Sequence, residues 1–285
     1  MSAPSPSSIQ NFPRLSRRFP KRRVFITGAG HGLGLELVRT LSEDGWTVGL
    51  FDRDVERLAV VEADLSAAGI PVLAYPGDVT QADELTVAVN SFAGMHDGLD
   101  VMINNAGVAV SGSLMDVSVD DWRWIVEINF MGVVHGCRAA LPHLQRNASG
   151  LLINIASAAA FVAAPGMSPY NSTKAAVLSL SETLAAELRG SGIQVAVAMP
   201  GFFKTGLLES FRGPEAARVY AKAAMERSAY TVADAAYDIL SIAARGGTHI
   251  VVPRDMRMLW RLKSWMPATF IAQLARRREK LLGER

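Results

Sequence analysis

From Arg23 onward, short apolar runs alternate with longer stretches of helical period, and this alternation is the strongest constraint on the fold. The runs are Val24–Thr27, Thr47–Asp52, Val72–Pro76, Val101–Asn104, Gly150–Ile155, Gln194–Met199 and His249–Val252. They are predominantly apolar without strict polar alternation, as expected of strands covered on both faces. Between them lie helical stretches such as Leu33–Glu43, Val55–Ala68, Ala82–Ala93, Asp120–Gln145 and Tyr170–Arg189. Strand and helix in strict succession predict an α/β protein, a mostly parallel seven-stranded sheet flanked by helices.

No spacer or composition shift interrupts residues 23–253, so a single domain is expected there. Its flanks differ in charge. Residues 1–23 hold six Lys/Arg and no acid, residues 254–285 hold nine Lys/Arg against three acids, and the stretch between carries −10. An acidic body without base-stacking motifs argues against a nucleic-acid role. The Ser/Pro-rich segment 1–22 is expected to be disordered. It lacks the apolar stretch of a secretory signal, and Cys137, the single cysteine, can form neither an internal disulfide nor a zinc site. A cytoplasmic location and no metal are therefore expected.

The first run leads into Thr27-Gly28-Ala29-Gly30-His31-Gly32-Leu33-Gly34, which opens a helix. Glycines there allow a tight turn and let backbone approach a pyrophosphate, while the helix N-terminus faces the anion. Gly28, His31, Gly32, Leu33 and Gly34 are accordingly candidate cofactor residues. Asp52 closes the second run at the spacing of an acid that accepts hydrogen bonds from ribose hydroxyls. A carboxylate there repels a 2′-phosphate, which favours NAD over NADP, although Arg53 and His31 leave dual use open.

Tyr170 and Lys174 stand four residues apart and share one helix face, and Ser157 follows a buried strand thirteen residues upstream. In isolation each is compatible with ordinary packing. Together with Asp78-Val79, Asn104-Asn105-Ala106-Gly107, Asn129 and Pro200-Gly201, they make the chain resemble the classical short-chain dehydrogenases/reductases over roughly residues 23–253. The resemblance implies a single Rossmann-type doubly wound domain and a homodimer or homotetramer. It also implies that Asp78 and Val79 hold adenine, that Asn105, Ala106 and Gly107 line the adenosine side, and that Pro200, Gly201 and Thr205 border nicotinamide. Tyr170 and Lys174 would touch the cofactor as well as act in catalysis. Asn129 would sit in a kinked helix and hold a water in a proton relay.

The chemistry explains these residue types. Hydride transfer belongs to the cofactor, and the protein must orient the substrate and manage one proton. A free phenol titrates near pH ~10, so Tyr170 needs a nearby cation, Lys174 or oxidised nicotinamide, to serve as base. Ser157 would hydrogen-bond the same substrate oxygen. Phe161, Val162, Met167, Phe202, Phe203, Leu207, Leu208 and Phe211 suggest an apolar pocket for a hydrophobic, secondary alcohol or ketone, covered by a segment at about 202–228. Two alternatives stand: an NADPH-dependent carbonyl reductase, and a non-catalytic nicotinamide-binding sensor or scaffold. The tail 254–285 is basic and amphipathic. Packing on the body or a second subunit is the expectation, and peripheral contact with an anionic membrane the alternative.

Overall fold

The computed structural model describes residues 13–282. Its strands are β1 (Arg23–Thr27), β2 (Thr47–Asp52), β3 (Val72–Pro76), β4 (Val101–Asn104), β5 (Gly150–Ile155), β6 (Ile193–Pro200) and β7 (His249–Val252). They form one sheet in the order β3-β2-β1-β4-β5-β6-β7. All six pairings are parallel, so the sheet goes beyond the mostly parallel one expected. Strand order reverses at β1, which leaves a crevice beyond the carboxyl ends of β1 and β4, the place where open α/β sheets bind ligands.

The helices are α1 (Pro13–Arg18), α2 (Gly32–Glu43), α3 (Val55–Ala67), α4 (Ala82–Met95), α5 (Val119–Val126), α6 (Gly132–Arg146), α7 (Ala159–Val162), α8 (Ser168–Glu187), α9 (Glu215–Glu226), α10 (Val232–Ala243), α11 (Arg254–Trp265) and α12 (Pro267–Leu282). Alternate strand residues feed two cores. Val24 and Ile26 of β1 join Leu37 and Leu41 of α2, Leu58 of α3 and Ile239 and Leu240 of α10. Phe25 between them faces the other way, with Val89 and Phe92 of α4, Cys137 and Leu144 of α6 and Val177 of α8.

Two expectations change. Disorder expected over residues 1–22 does not extend through that range, since α1 docks with Leu15 fully buried and Phe19 edge-on to Trp46. Residues 1–12 lie outside the described residues. The stretch 120–145 is not one α-helix: a π-turn at Glu127–Met131 joins α5 to α6, the kink that the resemblance implies around Asn129. The basic tail forms α11 and α12, and Met256, Leu259 and Trp260 of α11 pack against the second core.

Candidate active site

The glycine turn is built by close approach. Gly28 has φ +66°, and a Cβ there would lie 2.8 Å from the Cα of Ala106. One on Gly34 would fall 1.9 Å from the Gly28 carbonyl oxygen, so α2 sits against the end of β1 only with glycine there. The Thr27 hydroxyl accepts the backbone N–H groups of Asn105 and Ala106 at 3.0 and 3.1 Å, and the Asn105 amide donates to the carbonyls of Thr27 and Gly28. Two loops are thereby fixed against each other across the crevice. His31 at the start of α2 makes no side-chain cap, which leaves the helix N-terminus open to a ligand.

Beside this turn a second, smaller cavity is lined by Gly28, His31, Asp52, Arg53, Asp78, Val79, Ala106, Gly107 and Ser210. The Asp52 carboxylate accepts N–H groups from Gly30 at 2.9 Å and Asp54 at 3.0 Å, which fixes its orientation. An uncapped helix N-terminus, a glycine cradle and an oriented carboxylate in one continuous crevice fit a dinucleotide. Arg57 reaches from α3 to Glu209 at 2.7 Å, which ties the covering segment to this end. Both partners are about half exposed, so the pair contributes only ~0–1 kcal/mol.

Ser157 emerges just past β5, and α8 carries Tyr170 and Lys174 to the same cavity. Tyr170 and Lys174 are both buried. The Lys174 ammonium donates to the Ile155 carbonyl at 2.9 Å, and its nitrogen lies 5.8 Å from the centre of the Tyr170 ring. Burial pushes the Tyr170 phenol above its ordinary value, opposed by a hydrogen bond with Ser157. Burial also pulls Lys174 down to about 8. In the chain itself desolvation is the largest influence on the phenol. Asn129 is fully buried. Its side chain exchanges hydrogen bonds with both backbone groups of Val108, at 2.8 and 2.9 Å, and its nearest link to α8 is Thr173 at 3.4 Å.

The main cavity, about 320 Å³, brings together most of the residues singled out from sequence. Its lining includes the cofactor candidates Gly28, His31, Gly32, Leu33, Asn105, Ala106, Gly107, Pro200, Gly201 and Thr205 and the substrate-side candidates Ser157, Val162, Met167, Phe202, Phe203, Leu207, Leu208 and Phe211. Phe161 does not line it; its side chain belongs to the second core, because the one-turn helix α7 points Val162 into the space instead. Residues lining it that the sequence reading did not name include Ala221 and Met225 of α9 and Met256 and Leu259 of α11. The apolar period of the tail was the available signal for the last two. Arg212, also unanticipated, stacks 3.6 Å over Trp124 and pairs with Asp121 at 2.8 Å, anchoring the covering segment to α5.

The family model for short chain dehydrogenases matches residues 22–216. An uncharacterized oxidoreductase of Staphylococcus aureus (strain USA300) is 34% identical over 186 residues, covering 65% of this chain and 80% of that one. A 3-oxoacyl-(acyl-carrier-protein) reductase of Staphylococcus aureus (strain Mu50 / ATCC 700699) is 30% identical over 190 residues, or 66% of this chain and 77% of the relative. Among solved structures, a short chain dehydrogenase/reductase from Burkholderia phymatum in complex with NAD matches with a TM-score of 0.82 at 28% identity, covering 85% of this chain and 92% of that one.

Proposed function

The chain belongs to the short chain dehydrogenase family, and we propose that it transfers hydride between a nicotinamide dinucleotide, NAD in preference to NADP, and a hydrophobic secondary alcohol or its ketone. The observation that carries this reading is the convergence of Ser157, Tyr170 and Lys174 with the glycine turn in one cavity whose remaining wall is apolar. The bound coenzyme supplies the hydride donor or acceptor and, when oxidised, a positive ring that favours phenolate. Gly28, Gly32 and the first turn of α2 would hold its phosphates, Asp52 its adenosine ribose, and Asp78 and Val79 its adenine.

Ser157 then holds the substrate oxygen, and Tyr170 removes its proton during oxidation or returns it during reduction. Lys174 and Asn129 act behind Tyr170, one by charge and one as a fixed polar group of a relay. Among the described residues, the ionisable ones lining the cavity apart from Tyr170 are His31 and Lys174, both on the coenzyme side. No described arginine lines the cavity to clamp a phosphate or carboxylate, which is why an apolar substrate is favoured. The test is NAD- and NADP-linked turnover across hydrophobic secondary alcohols, their ketones, 3-oxoacyl thioesters and sugars. Higher kcat/KM for the apolar alcohol–ketone pairs supports the reading. Preference for sugars or carboxylates contradicts the substrate class, and higher kcat/KM with NADP contradicts the reading of Asp52.

A further inference from the structure

The helix α11 has two faces with different surroundings. Inward, Met256 and Leu259 wall the main cavity and Trp260 packs on His249 with ring centres 5.0 Å apart. Outward, Arg254, Met258, Arg261 and Trp265 follow one another at helical spacing and are all exposed, Met258 at 71% and Trp265 at 87%. Met266 and Ile271 extend the apolar surface, at 47% and 54% exposure. The α12 helix packs chiefly on α11 rather than on the body. A large exposed indole and two methionines spaced between guanidinium groups are not accounted for by the active site or the core.

We propose that this outer face of α11, with Met266, is a docking surface for an anionic phospholipid bilayer. Trp combines an apolar ring with a polar N–H and suits the headgroup boundary, where methionine can enter the acyl region and arginine meets phosphate. Charge complementarity selects this occupant. Residues 254–285 carry nine basic and three acidic residues, whereas the body between the termini carries −10, so an anionic surface attracts this end and repels the rest. A second copy meeting the same face across a two-fold axis would bring the Arg254 and Arg261 stripes together, which disfavours self-association there. No helix among the described residues is long and apolar enough to cross a membrane. The docking surface stands apart from the hydride-transfer reading, because vesicle binding is measured without turnover.

The experiment is flotation of the full chain with phosphatidylcholine vesicles with and without phosphatidylglycerol, beside sedimentation velocity to record oligomeric state. Wild type is expected to float only with phosphatidylglycerol, and less as salt rises. Arg254→Glu/Arg261→Glu and Met258→Ser/Trp265→Ser should each weaken binding at least ~10-fold, with oligomeric state unchanged. Binding that ignores both variants, or no binding to phosphatidylglycerol vesicles at all, overturns the proposal. So does self-association of wild type that Met258→Ser/Trp265→Ser abolishes, since a second copy would then cover this face.

Discussion

At Tyr170, the largest physical influence works against its use as a base, because burial raises the phenol and only the Ser157 hydroxyl opposes it. The positive ring of an oxidised coenzyme would favour phenolate. Lys174 has its own consequence for pH. Its ammonium, ordinarily deprotonating near 10.5, does so here near 8, so the charged form dominates below about 8 and the neutral form above. Coenzyme affinity measured by nicotinamide fluorescence should thus fall as pH rises through about 8, and Lys174→Met should bind weakly with no such step. At Asp52, Asp52→Ala removes a charged acceptor worth ~1.5–3 kcal/mol and a repulsion against a 2′-phosphate, so the NAD:NADP ratio of kcat/KM should shrink by ~10- to 100-fold. The ratio is the quantity to measure, because loss of the Gly30 hydrogen bond affects both coenzymes alike.

Among the elements, packing at the end of β1 and docking of α1 give the clearest stability tests. Gly34→Ala would drive a methyl group into the Gly28 carbonyl, so thermal unfolding should show ~1–3 kcal/mol lost together with weakened coenzyme binding. Leu15→Ala should lose ~2–5 kcal/mol through an emptied core site yet leave KM unchanged, because α1 is outside the cavity. All seven described strands fall where the apolar runs lie, β2, β3, β4, β5 and β7 to the residue, β1 extended by one residue at one end and β6 by one at each, since two-sided burial writes itself into consecutive residues. The glycine turn was equally legible, because close backbone approach admits one residue type. What composition hid was α1: Leu15 and Phe19 are two apolar side chains among Ser, Pro and Arg, and only the partner surface around Trp46 makes them core. The kink around Asn129 came from the resemblance, not from periodicity, which continues through the π-turn at Glu127–Met131.

Over the whole molecule, the reversal of strand order at β1 opens the crevice, and residues distant in sequence close around it. Met256 and Leu259 show why the pocket was only half readable: they approach Gly201 and the covering segment through β7 and α11, a long-range contact that local pattern does not encode. Phe161 was misplaced for the complementary reason, since neighbours on a one-turn helix point in different directions. The account as a whole claims that coenzyme binding and proton transfer are separate tasks of one cavity. Single-turnover hydride transfer, followed by nicotinamide absorbance in wild type and Tyr170→Phe at saturating coenzyme, tests this directly. The rate should fall by ~10²- to 10⁴-fold in the variant while coenzyme Kd stays within about twofold. An undiminished rate in Tyr170→Phe would contradict it.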